Sequence, residues 1–195
     1  MDKGKLNRIL ESMKENDIPQ LIISDPAAIF YLTGKWIFPG ERLLALYLNV
    51  NGNHKMMINK LFPQEDDLGV DIIYYDDIED GVEILSNYVD KDAVMGIDKE
   101  WPSKFLLRLQ ELGGGKKFVN GSFIVDYVRQ IKDEKEIEIM KESSRLNDEV
   151  MKELIPWVSK GLTEKELNVK VREIYKKHGI EEVSFDPITD RKSVV

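Results

Sequence analysis

Apolar residues recur along this chain at helical and strand spacings in alternation, and the pattern becomes purely helical after about residue 130. Leu6, Ile9, Leu10 and Met13 fall three and four apart and predict a surface helix over residues 2–16. Leu21-Ile22-Ile23, two residues after Pro19, reads as a short buried strand. Asp25-Pro26 then opens a second helix, with Asp25 as N-cap and Pro26 at the first helical position, and Gly34 marks its end. The unbroken apolar run over residues 43–50 has the character of a central strand. Asn51-Gly52 signals a hairpin turn, with residues 55–61 as the return strand. Further along come a strand at 71–75, a helix at 79–88, a strand at 93–97 and a helix opened by Pro102 and stopped at Gly113-Gly114-Gly115. A strand at 117–119 and a helix capped by Ser122 and running through Ile131 complete the series. Strands interleaved with helices, plus one hairpin, predict an α/β domain with a mixed sheet over residues 1–130.

Residues 131–195 form a second part, whose regular elements are helices. Ile137, Met140, Ser144, Met151, Leu154 and Val158 trace one face of a long helix, with Pro156 in its last turn. Gly161 breaks the chain, and Thr163-Glu164-Lys165-Glu166 has the form of a capping box. Leu167, Val171, Ile174 and Tyr175 make the buried stripe of the next helix, which Gly179 ends.

Composition narrows the classes of function. A net charge of −8 argues against a nucleic-acid binder, which needs a basic face. The absence of cysteine removes disulfides and thiolate metal sites, and fits a reducing compartment. No apolar run approaches the ~20 residues of a membrane span. The N-terminus, Met1-Asp2-Lys3-Gly4-Lys5, leads into an amphipathic pattern rather than a secretion signal, so a cytoplasmic protein is expected.

Candidate chemistry is sparse. The chain has two histidines, His54 after the hairpin turn and His178 at a helix C-terminus, and neither has partners at ligand spacing. The acidic stretches Asp66-Asp67, Asp76-Asp77 and Glu79-Asp80 read as a solvated loop and a helix N-terminus that favours negative charge. Adjacent carboxylates on an extended chain point to opposite sides and cannot chelate together. There is no Gly-x-Ser-x-Gly elbow, and the glycines at 113–115 lack phosphate-loop spacing. The remaining feature is a loop, Lys35-Trp36-Ile37-Phe38-Pro39-Gly40-Glu41, that displays Trp36, Ile37 and Phe38 with no regular periodicity. Trp36, Ile37, Phe38, Glu41 and Arg42 are the candidate residues for contact with a partner, against the alternative that the apolar ones cover the local core.

Five segments in order carry a resemblance. They are Asp25-Pro26-Ala27-Ala28-Ile29-Phe30-Tyr31-Leu32-Thr33-Gly34; Pro39-Gly40-Glu41-Arg42-Leu43-Leu44-Ala45-Leu46; Arg129 with Ile131-Lys132-Asp133-Glu134 and Glu136-Ile137; Gly161-Leu162-Thr163-Glu164; and Ser184-Phe185-Asp186-Pro187-Ile188. Together the chain resembles the aminopeptidase P, prolidase and creatinase family. The resemblance implies a creatinase-type N-terminal α/β domain over residues 1–130. Residues 131–195 would be the incomplete, helical start of an α+β pita-bread metallopeptidase domain, with Ser184 to Ile188 as its first strand.

For the whole protein the resemblance implies a dimeric hydrolase, an aminopeptidase or dipeptidase, that cleaves the bond before proline in peptides. Two divalent ions, manganese, cobalt or zinc, would serve that chemistry. The family's ligands for them, two Asp, one His and two Glu, lie beyond the stretch matched here, and residues 189–195 depart from the family pattern. No cofactor or metal site is expected within this chain, which reads as a truncated portion inactive by itself. In the resembled family the loop at Trp36 reaches toward the partner subunit's active site. A different class, a non-catalytic interaction module with a peptidase-like fold, is the alternative reading.

Overall fold

The computed structural model describes residues 1–158 and 160–188. It divides into two compact units, Met1–Ile131 and Lys132–Val195.

In the first unit, α1 (Lys3–Glu15) precedes β1 (Gln20–Ile23), and α2 (Pro26–Thr33) leads through a loop to the hairpin β2 (Ala45–Asn49) and β3 (Lys55–Asn59). Then follow β4 (Asp71–Tyr75), α3 (Gly81–Ser86), β5 (Val94–Ile97), α4 (Ser103–Glu111), β6 (Lys117–Asn120) and α5 (Ser122–Gln130). The six strands form one mixed sheet in the order β4-β3-β2-β1-β5-β6. The β1–β2 and β2–β3 pairs are antiparallel, and the other three are parallel. The expected α/β class with a mixed sheet is borne out.

The central strands are buried along their whole length because helices cover both faces. Alternation within each strand sends successive side chains to opposite layers. Leu21, Ile23, Leu46 and Leu48 pack with Ile9 and Met13 of α1, Ile29 and Leu32 of α2, and Ile124 of α5. Ile22, Ala45 and Tyr47 pack on the other side with Val82 and Leu85 of α3, Leu109 of α4 and Trp101. A polar cluster around Gln20 lies in this interior and is hydrogen bonded. Tyr47 donates to Gln20 Oε1 at 2.9 Å, and Asn49 Nδ2 donates to the Tyr47 hydroxyl at 2.9 Å. Gln20 in turn exchanges hydrogen bonds with the Asp90 backbone.

A buried carboxylate joins the end of β5 to the start of α2. Asp98 accepts from Ser24 N at 2.7 Å, Ser24 Oγ at 2.8 Å and Asp25 N at 2.8 Å. Asp25 caps α2 by accepting from Ala27 N at 2.9 Å, and Arg129 near the end of α5 donates to its other oxygen at 3.1 Å. Two glycines allow a close approach nearby. A Cβ on Gly121 would stand 2.4 Å from Leu21 Cδ1 and 3.1 Å from the Gly96 Cα, so the turn before α5 rests directly on β5.

The second unit is a helical hairpin, α6 (Glu134–Val158) and α7 (Glu164–Lys177). The capping box forms in full: Glu166 N donates to Thr163 Oγ1, and the Glu166 carboxylate accepts from Thr163 N. Val150 and Leu154 of α6 pack on Val171 and Ile174 of α7, with Trp157, Leu167, Tyr175 and Ile180 around them.

Two expectations are corrected. Gly121, not Ser122, is the N-cap of α5; the Ser122 N–H and hydroxyl both turn back to Asn120 Oδ1. Residues 184–188 form no strand, and among the described residues of this unit there is no strand for them to pair with. The face traced along α6 is present, and Leu154 is its one buried member, because α7 packs to one side of that line. Residues 189–195 lie outside the described residues.

Replacing Asp98 with Ala strips the acceptor from buried backbone donors, each worth ~1–3 kcal/mol when left unpaired. Urea denaturation of Asp98→Ala is expected to show a loss of roughly 3 kcal/mol; a loss within error would contradict the latch. Gly121→Ala overpacks the β5 contact and is expected to cost about 1–3 kcal/mol in the same measurement.

Candidate functional site

The loop between α2 and β2 is held open by its own anchors. Gly34, at φ 71°, ends α2 in the left-handed conformation, and its N–H donates to Phe30 O at 2.7 Å. Thr33 Oγ1 donates to Ile29 O at 2.8 Å and accepts from Lys35 N at 3.1 Å, which fixes the exit from the helix. Burial alternates along residues 36–38 of the loop. Ile37 is 3% exposed and joins the core beneath, whereas Trp36 and Phe38 are 46% and 67% exposed. The structure thus separates the apolar trio, with Ile37 as the anchor and its neighbours as the display. Phe30, on the outer face of α2, completes a run of three rings. Its centroid lies 5.5 Å from that of Trp36 in an edge-on arrangement, and Trp36 lies 5.5 Å from Phe38.

Ion pairs staple both ends. Lys35 Nζ lies 2.7 Å from Asp66, and Arg42 grips Asp77 through Nε and Nη2, both at 2.8 Å. Asn59 Nδ2 also donates to Asp77, at 3.0 Å. The hydrogen bond from Lys35 holds the Asp66 carboxyl below its usual range, and the hydrogen bonds from Arg42 do the same for Asp77. A lowered carboxyl pKa means that the attachment is intact above the ordinary carboxylate range and is lost only as pH falls through the lowered value. Both staples therefore hold throughout neutral pH. Glu41 is exposed; its backbone oxygen accepts from Lys104 Nζ at 3.0 Å.

Beside Arg42 lies an open cleft of about 340 Å³, lined among others by Leu43, Tyr75, Lys104, Phe105 and Arg108. Its charges are already committed. Arg108 donates to Asp80 at 2.7 Å, and Tyr75 donates to Leu43 O at 2.9 Å. Partial burial pushes the Asp80 carboxyl up, but hydrogen bonds from Arg108, Glu83 N and Val82 N outweigh it and hold the group below its usual range. Asp80 is thereby both the N-cap of α3 and the counterion of α4.

Among the described residues, no three His, Cys, Asp or Glu side chains form a group that could hold a metal ion. His54 Nδ1 accepts from Asn49 N at 3.3 Å, and burial pushes its pKa down. His178 is the C-cap of α7, with Nε2 at 2.8 Å from Glu153 Oε1. No described helix is long and apolar enough to cross a membrane.

Of the five residues singled out in the sequence, Trp36 and Phe38 share one exposed patch, Ile37 lies in the core, Glu41 is exposed, and Arg42 is bound to Asp77. The partners of the loop escaped the sequence reading. Phe30 could have been found: Ala28, Ile29 and Leu32 face inward, which places residue 30 outside. Asp66 and Asp77 could not, since their partners lie 31 and 35 residues away.

Residues 5–131 match the creatinase/prolidase N-terminal domain, and residues 138–190 match metallopeptidase family M24. An uncharacterized peptidase of Staphylococcus saprophyticus is 29% identical over 188 residues, 93% of this chain and 52% of the relative. The Xaa-Pro dipeptidase of Pyrococcus furiosus is 23% identical over 95% of this chain and 52% of its own length. The chain spans about half the length of these curated relatives. Among solved structures, a recombinant prolidase from Thermococcus sibiricus superposes with a TM-score of 0.84 at 22% identity, over 96% of this chain and 53% of that one. The N-terminal domain of an X-Pro dipeptidase from Streptococcus pyogenes gives a TM-score of 0.56 at 22% identity, over 67% of this chain and all of that one. With well over half of its residues matched by one domain family, the chain belongs to the creatinase/prolidase N-terminal domain family.

Proposed function

We propose that this chain is the N-terminal portion of a metal-dependent Xaa-Pro peptidase, of the prolidase or aminopeptidase P type, and that it serves dimer assembly and access to the active site. The observation that carries the reading is the aromatic patch at Phe30, Trp36 and Phe38, exposed and flanked by an ion pair at each end of its loop, in a domain whose relatives include an Xaa-Pro dipeptidase. Rigid aromatic side chains give large contact area at low entropic cost, which suits a surface that meets a partner subunit or a proline-containing peptide. The match to family M24 at residues 138–190 supports a hydrolase as the whole protein. The interaction module without catalysis is not favoured, because the relatives named above are peptidases and prolidases.

The described residues supply no ligand set for the two divalent ions, manganese, cobalt or zinc, that such a peptidase uses. In this proposal those ions sit in the part of the relatives' length that this chain does not span. This chain contributes shape and a rim around the substrate's approach. A cytoplasmic setting belongs to the same proposal.

The 195-residue chain is expected neither to hydrolyse Xaa-Pro dipeptides with added manganese or cobalt nor to bind those ions tightly by calorimetry. Metal-dependent turnover that copurifies with the chain would overturn its reading as a non-catalytic portion. In a longer protein that carries a complete M24 domain, Trp36→Ala and Phe38→Ala are expected to keep the melting temperature and to lower kcat/KM or weaken the dimer. Ile37→Ala is expected to do the reverse: it opens a cavity costing ~2–5 kcal/mol and leaves substrate preference unchanged. Equal effects of all three substitutions on stability, with no effect on association or turnover, would show that the loop is only part of the core.

A further inference from the structure

Asparagine is followed by glycine at two places, Asn51-Gly52 and Asn120-Gly121, and the fold treats the two pairs in opposite ways. Glycine has no side chain to shield its backbone nitrogen, so that nitrogen can reach the side-chain amide carbon of the residue before it. Because the dipeptide is the same in both places, the surroundings decide which pair reacts.

Asn51 and Gly52 form the tip of the β2–β3 hairpin, and both are exposed. A Cβ placed on Gly52 would meet nothing within 4 Å, so no neighbouring group roofs the turn. Gly52 N donates to Asn49 O at 2.9 Å, and Asn51 N donates to Asn49 Oδ1 at 2.9 Å. Both bonds lie outside the ladder at a solvent-facing turn, where local opening costs little free energy. The second pair is closed by contrast. Gly121 is buried, its N–H donates to Ile97 O at 2.8 Å, and it rests against Leu21 and Gly96. Asn120 Oδ1 accepts from Ser122 N at 3.0 Å and from Ser122 Oγ at 2.7 Å, which fixes the amide at the start of α5. Freeing the Gly121 nitrogen means separating this turn from β5, a far larger opening.

We infer that Asn51 is a site of spontaneous covalent modification, converted with time to isoaspartate and aspartate, and that the fold protects Asn120 from the same reaction. The Gly52 nitrogen loses its proton to water or hydroxide and attacks Asn51 Cγ. The new N–Cγ bond forms, the Cγ–Nδ2 bond breaks, and the amide nitrogen leaves as ammonia. Water then opens the resulting cyclic imide at one carbonyl or the other. One opening gives aspartate; the other gives isoaspartate, in which the main chain runs through the former side-chain carbon. One water is consumed and one ammonia released, with no oxidant or reductant. Each conversion adds one negative charge to a chain of net charge −8. The isoaspartyl form also lengthens the tip by one methylene beside Asn49, whose side chain joins this turn to Tyr47 and, through it, to the buried Gln20.

The test is to warm the 195-residue chain at mildly alkaline pH, below its melting temperature, and to sample it over days. Trypsin releases residues 43–55 and 118–129 as separate peptides, each with one Asn-Gly pair. Fragment masses locate the exchange of NH for O, and an isoaspartyl carboxyl methyltransferase with labelled S-adenosylmethionine counts the isoaspartate. A sample digested at time zero sets the background. In the folded chain Asn51 is expected to convert more than about tenfold faster than Asn120, and in urea the two rates should draw together, because unfolding removes the protection. Asn51→Gln should remove most of the methyl acceptance of the folded chain and keep its circular dichroism. Equal conversion of Asn51 and Asn120 in the folded chain overturns the inference, as does conversion at Asn49 or Asn53 in place of Asn51. An Asn51 that stays intact while urea converts both pairs overturns it too. A gap that persists unchanged in urea would assign the difference to flanking sequence and overturn the role of the fold. Methyl acceptance undiminished in Asn51→Gln would overturn the site itself.

Discussion

The arrangement of the first unit depends on one carboxylate. Asp98 stands where β5 ends and collects backbone donors from residues 24 and 25, where β1 ends and α2 begins. Two parallel neighbours are locked together at the same end of the sheet, and the helix that leaves from there is aimed by the same contact. Asp25 passes the constraint on to Arg129, close to the boundary between the two units. A buried charge is stable only when its lone pairs are met. This one is met chiefly by main-chain groups, whose positions are the fold itself.

The consequence reaches the other end of α2. That helix is eight residues long, so fixing its first turn leaves little freedom at its last. Gly34 then turns the chain out, Ile37 drops into the core, and the rings of Trp36 and Phe38 are left facing solvent. Exposed aromatic residues on a slack loop would collapse onto the nearest apolar surface. Here the Lys35–Asp66 and Arg42–Asp77 pairs oppose that collapse. Surface pairs of this kind contribute little to stability, and their value in this position is geometric.

What the sequence disclosed, and what it concealed, follows the range of each interaction. The Asp25-Pro26 start, the Asn51-Gly52 turn and the Thr163–Glu166 box are settled by neighbours within a few residues, and each was legible. Asp98 gave no signal, because its donors lie more than 70 residues earlier. The burial of Ile37 was hidden for the same reason: the floor beneath it is built from distant strands and helices. On α6 the periodicity marked an apolar face correctly but could not say which part α7 would cover, since the angle between two helices is set by packing and not by either sequence alone. The candidate loop was visible as an anomaly, three apolar residues without period, while its staples needed the folded chain.

The order of the strands leaves β4 and β6 as the outermost members of the sheet. Both are short; β6 opens with Lys117 exposed, and β4 opens with Asp71 tethered to Lys55. Charge at a brief open edge discourages a foreign strand from joining it. The rims of this sheet are therefore poor templates for fibre growth, although its strands are rich in Leu, Ile and Met. Exposed apolar surface sits instead on helices and loops, where backbone polar groups are already paired and association must rely on matching side chains. Such a chain has routes to finite, specific complexes and few to open-ended polymers.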